Sequence, residues 1–410
     1  MPTSPEQVCR LILHRCCYSL LSLQRVRALF LDICDLEAAL HRLNYIQWLE
    51  ALLRVTAEHW NLSADSTSSP TYPDNIRGID IGTGASAIYP LLGCKRNPTW
   101  SFTATDIDEK SLRYAQANVE ANKLHDRICM TRTDPDGPIF APLTLDIHAR
   151  YDFTMCNPPF YEGWEDQKAS AEGKDLSPSA VCTGSEVEMI TFGGESHFVG
   201  RMIEESVQLR ERCCWYTSML GKMTSLIDVV EALKQQLVTN YAVTELVQGQ
   251  TRRWVIAWSY NDIRLPDSVG RLSTSSPVIQ SIIPLRNTLL HNFSCSTKEM
   301  QNALEDVLGS IVGSRTIRRD EYSQIVRASR NTWSRKARRA THHEMAGSAS
   351  NSDEAGLVCL LTSISDSGME DGVALQFQWV KGQDYGLFEG FTSHVARKMK
   401  GRLAGQDKIR

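Results

Sequence analysis

Residues 76–86 have the sequence Ile76-Arg77-Gly78-Ile79-Asp80-Ile81-Gly82-Thr83-Gly84-Ala85-Ser86. The first six residues predict a short buried strand, and the glycines that follow predict a tight turn into an apolar helix beginning at Ala87. Glycines in such a turn let a ligand approach the backbone closely. Because the turn lacks the third glycine of a dinucleotide fingerprint and the lysine of a P-loop, it favours a nucleotide-like ligand without phosphates.

Two further predicted strands end in polar residues. The strand at residues 100–105 is followed by Asp106, and the strand at residues 151–156 is followed by Asn157, Pro158, Pro159 and Phe160. Proline cannot donate a hydrogen bond to a sheet, so the second of these strands must end at the Pro-Pro pair. Alternating strands and helices predict an α/β fold, a Rossmann-like, mostly parallel sheet with helices on both faces. Such sheets bind their ligands at the carboxyl ends of the strands.

S-adenosylmethionine is a nucleoside ligand without phosphates. Its ribose diol requires an acidic hydrogen-bond acceptor at the end of the strand after the glycine turn, where Asp106 stands, with Asp108 as a second candidate. The glycine pair alone is weak support, since turn glycines are common. Together with Asp106 and the Pro-Pro motif, it makes S-adenosylmethionine the predicted cofactor.

Residues 157–160 suit the methylation of a planar amine. The lone pair of an exocyclic amine is delocalised into its ring, so the nitrogen is a poor nucleophile. The side-chain oxygen of Asn157 and the carbonyl of Pro158 can accept its two hydrogens, which lets the nitrogen pyramidalise and points its lone pair at a methyl donor. Phe160 offers a ring on which the target base can stack, a contact worth about 1–3 kcal/mol.

Composition limits the class of protein. The chain of 410 residues is 42% hydrophobic, which predicts mostly globular structure in two or three domains. Its net charge of −4 does not indicate a general nucleic-acid binder, so any basic surface is expected to be local. The 12 cysteines lack Cys-x-x-Cys and zinc-type spacings, and no apolar run is long enough to span a membrane. A soluble intracellular protein with reduced thiols and no metal is expected.

The sequence pattern predicts four segments. Residues 1–35 form an atypical N-terminal extension, and residues 36–260 form the α/β domain. Residues 261–277 are a polar linker with two prolines near its ends. Residues 278–410 form a small C-terminal α+β module, which is expected to begin with a strand at residues 278–292.

A basic, partly disordered insertion is predicted at residues 313–355 of the C-terminal module. Within it, residues 315–339 contain many arginines and lysines against only Asp320 and Glu321. This stretch can contact RNA phosphates, and Trp333 can stack on a base, although a solvated basic linker or a nuclear import signal would explain the charges equally well. A target base must first leave its stack, which is easiest in a bulge or loop of structured RNA.

Several segments match the motifs of one known family. They are Arg42-Leu43-Asn44-Tyr45-Ile46-Gln47-Trp48, Gly78-Ile79-Asp80-Ile81-Gly82-Thr83-Gly84-Ala85-Ser86, Ile88-Tyr89-Pro90-Leu91-Leu92-Gly93, Cys156-Asn157-Pro158-Pro159-Phe160, Glu188-Met189, Gly193-Gly194-Glu195, Met219-Leu220-Gly221-Lys222 and Gln248-Gly249-Gln250-Thr251-Arg252-Arg253-Trp254. With these segments, residues 41–260 resemble the methyltransferase-like protein 16 family of U6 small nuclear RNA adenine-N6 methyltransferases, which are RlmF-like class I enzymes. The chain has the look of a fungal member.

The resemblance implies a class I, S-adenosylmethionine-dependent fold and methyl transfer to the N6 amine of an adenosine in structured RNA. The implied RNA is U6 small nuclear RNA or a hairpin with an accessible adenine. The expected catalytic residues are Asn157, Pro158, Pro159 and Phe160. The expected cofactor-binding residues are Arg42, Asp80, Gly82, Gly84, Ser86, Asp106 and Asn157. The expected RNA-binding residues are Arg252, Arg253, Arg335, Lys336, Arg338 and Arg339.

Two alternatives remain open at the level of sequence. The first is a protein glutamine N5-methyltransferase, because release-factor methyltransferases use Asn-Pro-Pro followed by tyrosine. Phe160 and the segment around Arg42 weigh against it. The second is a non-catalytic RNA-binding member of the fold. The expected location is the nucleus, the cytoplasm or both.

Overall fold

The computed structural model describes residues 33–64, 74–159, 193–248, 251–272, 276–334, 337, 356–365 and 372–406. Nearly all of the predicted N-terminal extension lies outside the described residues, and so do the following predicted site residues: Phe160, Arg335, Lys336, Arg338 and Arg339. Within the described ranges, no helix combines the length and the apolar composition needed to cross a membrane.

The chain divides into two compact units, and each has its own sheet. The first unit takes in the described residues of Met1–Leu53, Pro73–Asn261 and Gly270–Pro284. The second takes in those of Arg54–Tyr72, Asp262–Val269 and Leu285–Arg410.

Seven strands form the sheet of the first unit. They are β1 (Ile76–Ile81), β2 (Trp100–Asp106), β3 (Ile128–Arg132), β4 (Tyr151–Cys156), β5 (Cys213–Leu220), β6 (Asn240–Gln248) and β7 (Thr251–Ser259). Their order across the sheet is β3-β2-β1-β4-β5-β7-β6. The first five strands pair in parallel, whereas β7 is antiparallel to both of its neighbours. This arrangement confirms the predicted class I methyltransferase sheet, and it places a topological switch point between β1 and β4.

The described helices up to the start of the second sheet are α1 (Ile33–Ser63), α2 (Ile88–Arg96), α3 (Glu109–Ala121), α4 (Ala141–Leu145), α5 (Gly194–Leu209), α6 (Met223–Gln235), α7 (Asp267–Gly270) and α8 (Pro277–Ile282). Helix α2 packs so closely on the sheet that a Cβ at Gly93 would lie 2.7 Å from the Phe102 ring. Helix α5 packs on the other face, where Met202 and Ile203 join Ile79 in one buried cluster. Helices therefore cover both faces, as the sequence predicted.

Five antiparallel strands form the sheet of the second unit. They are β8 (Thr288–Ser294), β9 (Ser314–Arg318), β10 (Ser323–Ala328), β11 (Leu357–Ser365) and β12 (Gly372–Lys381), in the order β8-β12-β11-β10-β9. Two helices, α9 (Thr297–Gly309) and α10 (Tyr385–Gln406), pack with these strands. The core includes the stacked rings of Trp379 and Phe388, 5.5 Å apart. The unit is the small α+β module that the sequence predicts.

Two parts of the second half differ from the sequence-based expectation. The strand predicted at residues 278–292 is instead helix α8 followed by β8, because Pro277 starts a helical turn and Pro284 separates it from the strand. The basic insertion predicted at residues 313–355 contains the regular strands β9 and β10. Arg315 and Arg318 of β9 are exposed, whereas Ile325 and Val326 of β10 are buried. The prediction rested on the number of arginines and overlooked the apolar residues that form the strands.

The predicted linker at residues 261–277 is divided between the two units. Residues 262–269 belong to the second unit, where Ile263 and Leu265 are buried and Ile263 forms a β-bridge with Lys381. Arg264 is buried as well; its Nε donates to the Gly382 carbonyl at 2.8 Å, and its guanidinium lies 4.3 Å from the Trp379 ring centroid. This segment, which we call the strap, is therefore packed although its composition is polar. Its buried charged group, the Arg264 guanidinium, has partners within the second unit.

Candidate active site

Three of the predicted site residues stand side by side at one edge of the sheet. Parallel pairing aligns Ile81 of β1 with Thr105 of β2 and with Cys156 of β4. The residues that come next in the three strands are Gly82, Asp106 and Asn157. We call these three residues the site row. It lies at the carboxyl ends of the strands, beside the switch point between β1 and β4, where open α/β sheets bind ligands.

The turn after β1 depends on its glycines for conformation. Gly82 has φ 68° and Gly84 has φ 63°, values that favour glycine over other residues. No described atom lies within 4 Å of a Cβ built on Gly82, so the space beside this turn is open. The turn is fixed from β2, because the Thr83 amide donates to the Thr105 carbonyl at 2.9 Å. This backbone is both accessible and held in place, which a bound nucleoside requires.

Asp106 fastens the turn to the end of β2. Its Oδ2 accepts a hydrogen bond from the Gly84 amide at 2.8 Å, and its Oδ1 accepts one from the Asp108 amide at 2.9 Å. The side chain is 7% exposed. A carboxylate oxygen has two lone pairs, so each oxygen keeps an acceptor position for a ligand hydroxyl.

Asp108, the second candidate for the ribose diol, has a different task. It is the N-cap of α3, and its carboxylate accepts from the amides of Lys110 and Ser111 and from the Ser111 hydroxyl. From the same helix, the Asn118 amide group donates to the carbonyl of Ala85 at 3.1 Å. Asn118 thus supports the loop that contains Ser86. Sequence reasoning did not identify Asn118, because a lone Asn inside a helix gives no signal of a distant partner.

Asp80 is the second buried carboxyl group near the site row. It is 1% exposed, and its Oδ2 has no hydrogen-bond partner among the described residues. Burial raises the pKa of Asp80 to about 7; the neighbouring Thr83 hydroxyl opposes this rise and the charge of Asp106 adds to it. An unsatisfied carboxylate oxygen in a buried position is a site for a cationic or hydrogen-bond-donating ligand group.

Two arginines act on Tyr89, a buried phenol that also senses the charge of Asp80. Burial raises the pKa of Tyr89, which is 5% exposed, while the charges of Arg42 and Arg253 lower it and that of Asp80 raises it. Arg42 is on α1 and Arg253 is on β7. The charges of Arg42, Arg253 and Asp80 therefore all act on the phenol of Tyr89. Arg42 was predicted to bind the cofactor and Arg253 to bind RNA.

Asn157 ends the site row with a free acceptor. Its Oδ1 is buried and has no hydrogen-bond partner among the described residues. Pro158 is buried and Pro159 is half-buried, and β4 ends at Cys156, as the Pro-Pro pair requires. An unpaired buried amide oxygen costs free energy unless a ligand satisfies it, so Asn157 is poised for a donor such as an amine.

The RNA-binding prediction is described only in part. Arg252 and Arg253 lie on β7, and the Arg252 guanidinium pairs with Glu245 of β6 at 3.1 Å. The expectation that Trp333 stacks on RNA is wrong: its side chain is 3% exposed and its ring packs edge-on against Phe391, 5.3 Å between centroids. An indole enclosed in a core cannot offer its face to a base.

A second feature missed by sequence reasoning is the buried carboxylate of Glu195. Its two oxygens accept from the amides of Gly221 at 2.6 Å and Lys222 at 2.8 Å, directly after β5. Both ends of this contact lie in family-like segments, Gly193-Gly194-Glu195 and Met219-Leu220-Gly221-Lys222. The two segments were recognised in the sequence as family motifs. The sequence does not show that the carboxylate of one segment accepts hydrogen bonds from the amides of the other.

The donor set of the site suits an organic ligand. In the parts of the chain that the structure describes, no group of three His, Cys, Asp or Glu side chains is arranged to hold a metal ion. The buried Asp80 Oδ2, the Asp106 carboxylate and the open backbone at Gly82 instead match the ammonium, the ribose diol and the nucleoside body of S-adenosylmethionine.

Comparison with known proteins agrees with this geometry. The sequence profile of a family described as RNA methyltransferase matches residues 36–262, more than half of the chain. The chain belongs to this RNA methyltransferase family. The RNA methyltransferase domain thus spans the first unit's sheet and ends at the strap that enters the second unit.

Individual relatives share different lengths with this RNA methyltransferase. It is 34% identical over 363 residues to a U6 small nuclear RNA (adenine-(43)-N(6))-methyltransferase of Schizosaccharomyces pombe, a match that covers 88% of this chain and 86% of the relative. It is 42% identical over 228 residues to the human RNA N(6)-adenosine-methyltransferase METTL16, covering 55% of this chain and 38% of the human protein. The solved hMettl16 catalytic domain in complex with MAT2A 3'UTR hairpin 1 is 38% identical, with a TM-score of 0.47, covering 57% of this chain and 74% of that one.

Proposed function

We propose that this protein transfers a methyl group from S-adenosylmethionine to the N6 amine of an adenosine in structured RNA. The observation that carries the proposal is the site row. In it, Asn157, whose Oδ1 has no partner among the described residues, follows the strand that is paired in register with the one before Gly82, and Asp106 ends the third strand. Membership of the RNA methyltransferase family supports the same reaction.

The donor would be held by residues of the first unit. Asp106 would accept from the ribose diol, and the open backbone of Gly82 and Gly84 would lie against the nucleoside. Asp80 would face the ammonium group with its unsatisfied oxygen, and Arg42 would contact the donor from α1. When bound, S-adenosylmethionine supplies a methyl group that is electrophilic because it is attached to a sulfonium.

The chain's own residues prepare the acceptor amine. The Asn157 Oδ1 and the Pro158 carbonyl accept its two N–H bonds, which withdraws the nitrogen lone pair from the ring and aims it at the methyl group. Burial of the Asn157 Oδ1 strengthens the hydrogen bond that this atom accepts. No acid or base is required at the transfer step, because the amine's proton can leave to water after the methyl group has been transferred. Phe160 is proposed to stack on the adenine.

We propose U6 small nuclear RNA as the target. The fission yeast relative that shares most of its length with this chain is named for that RNA. Such a target places the protein in the nucleus. Phosphate contacts are proposed for Arg252, Arg253, Arg335, Lys336, Arg338 and Arg339.

The proposal is tested by methylation of total cellular RNA and of a U6 transcript with purified full-length protein. Asn157→Ala should lower the rate by about 100-fold or more, since one of the two amine acceptors is lost. Asn292→Ala is the matched control, because it removes an exposed amide from β8 in the second unit. Digestion and mass spectrometry should identify N6-methyladenosine at a site that disappears with Asn157→Ala.

Three outcomes would contradict the proposal. An unchanged rate with Asn157→Ala would refute the acceptor role of this residue. Methylation of a glutamine in a purified release factor, without methylation of RNA, would identify the protein glutamine methyltransferase instead. RNA binding without any binding of S-adenosylmethionine by calorimetry would identify a non-catalytic RNA-binding protein.

A further inference from the structure

The end of the acceptor strand β4 is held in an unusual way. Parallel pairing of β4 with β5 joins Tyr151 to Cys213 and Phe153 to Trp215, and it does not continue to Asn157. Beyond Phe153, side chains replace the ladder. The Thr217 amide donates to the Thr154 hydroxyl at 3.2 Å, and the Thr217 hydroxyl donates to the Thr154 carbonyl at 2.6 Å.

A third hydroxyl extends this arrangement from helix α1. The Tyr45 hydroxyl lies 2.6 Å from the Thr217 hydroxyl oxygen. A carbonyl can only accept, so the single hydroxyl hydrogen of Thr217 is committed to Thr154. Thr217 must therefore accept the hydrogen of Tyr45, which fixes the direction of the chain of hydrogen bonds from Tyr45 to Thr217 to the Thr154 carbonyl.

Burial keeps Tyr45 in the donating form. Tyr45, Thr154 and Thr217 are each 0% exposed. Burial raises the pKa of Tyr45 well above its ordinary value. The Thr154 carbonyl of β4 is thus bonded to a chain of two hydroxyls, those of Thr217 and Tyr45.

The position of these hydroxyls matters because Asn157 lies only three residues after Thr154 in the chain. Without them, the Thr154 carbonyl would lose this partner in a buried setting, and the end of β4 would shift to find another. Tyr45 also contacts the donor side of the site, since its ring packs edge-on against Tyr89 with centroids 5.8 Å apart. One side chain on α1 therefore contacts both Thr217, which bonds to the acceptor strand, and Tyr89 on the donor side.

We propose that Tyr45 and Thr217 are positioning residues that set the place of the Asn157 oxygen and the Pro158 carbonyl. They act on the acceptor amine only through β4. This inference rests on the proposed methyl transfer for its kinetic consequence, but the hydrogen-bonded arrangement stands independently of the substrate. A displacement of about 1 Å in a positioning group can cost roughly 100-fold in rate, so loss of either hydroxyl should be felt at the chemical step.

The test compares the kinetics of Tyr45→Phe, Thr217→Val and Thr217→Ser in the full-length protein. Tyr45→Phe and Thr217→Val should lower kcat by roughly 10- to 100-fold, with the RNA KM and the donor Kd within about twofold of wild type. Thr217→Ser keeps the hydroxyl and should restore most of kcat. The matched control is Tyr216→Phe, which removes another buried phenol hydroxyl, bonded at 2.9 Å to the Arg210 carbonyl. It should leave kcat within about twofold.

A second readout separates this inference from the proposed function. Hydrogen exchange at the amides of Cys156 and Asn157 should accelerate at least 10-fold in Tyr45→Phe and stay unchanged in Tyr216→Phe. If wild-type protein methylates no RNA, the methyl-transfer proposal fails, and the exchange rates still decide the positioning role. Equal effects of Tyr45→Phe and Tyr216→Phe on kcat or on hydrogen exchange would overturn the positioning role. A wild-type kcat in Thr217→Val would overturn it as well.

Discussion

Asp80 and Asp106 are buried carboxyl groups at the ends of adjacent strands, yet they have different roles. Asp106 uses both oxygens to accept backbone amides, whereas Asp80 keeps one oxygen unsatisfied. Sequence reasoning located both: Asp106 follows the predicted second strand, and Asp80 lies in a segment that matches the family motif. Sequence reasoning could not say which carboxylate holds the turn and which keeps an oxygen for a ligand. That depends on which backbone amides point at each carboxylate in the folded turn. The same limit explains Asp108, whose helix-capping role became apparent only with the start of α3 in place.

Donor binding should respond to pH through Asp80. Its pKa rises from 3.8 to about 7 on burial, so the ligand-free protein holds a proton there and loses stability as pH rises through this range. A cationic donor requires the carboxylate, so the donor Kd should rise roughly tenfold for each pH unit below 7. Calorimetry between pH 5.5 and 8 measures this slope. Asp80→Asn should abolish it, whereas Asp126→Asn, at a side chain 87% exposed, should retain it. A flat wild-type profile would contradict the role of Asp80.

At the scale of elements, the sequence predicts the first sheet well. Strands β1 and β4 appear with the predicted bounds, because glycines follow the first and the Pro-Pro pair ends the second. The errors fall where composition competes with periodicity. In β9 and β10 the arginines suggested a solvated insertion, although most residues of β10 are buried. Contacts between distant elements, such as Glu195 with the turn after β5, leave no periodic pattern in sequence.

Removing one oxygen of Glu195 should destabilise the junction between α5 and β5. Glu195→Gln keeps one acceptor but turns an NH2 group toward a backbone N–H, which leaves a buried amide unpaired and costs about 1–3 kcal/mol. Urea denaturation monitored by circular dichroism measures this change. Glu204→Gln, at an exposed position of the same helix, should change the free energy of unfolding by less than about 0.5 kcal/mol. Equal losses in the two variants would show that the carboxylate of Glu195 has no special part in holding the turn.

At the scale of the whole molecule, the sequence predicts two modules. It does not predict which segments of the chain belong to each of them. Residues 54–64 of the described chain belong to the second unit although they continue helix α1. His59 shows why: its Nδ1 donates to the Arg264 carbonyl at 2.5 Å, and its Nε2 accepts from the Gln378 amide at 2.5 Å. Helical periodicity predicts that such a face is buried. It carries no information about which module buries it.

The second unit should become less stable in acid because of His59. Burial lowers the pKa of His59 from 6.5 to about 4, although the Arg264 carbonyl opposes this. Between these values the unfolded chain binds a proton that the native unit does not, so stability should fall by up to about 1.4 kcal/mol per pH unit below 6.5. Hydrogen exchange of the β11 and β12 amides at pH 7 and 5 measures the loss. His59→Gln should weaken this dependence, and His125→Gln, at a side chain 59% exposed, should not. The same slope in both variants would rule out His59 as its origin.

The division of α1 between the units also has a consequence for synthesis on the ribosome. Every segment of the first unit has been made once Pro284 has been added, so its sheet can close while the later strands are still untranslated. The last turns of α1 have no such early partners, since the second unit is completed only by residues 285–410. Between these two moments the apolar side of those turns, including Leu62, has not met the strands that it packs against. A nascent chain that pauses in this interval would present to chaperones a first unit that can already fold and a helix end whose apolar residues are still uncovered.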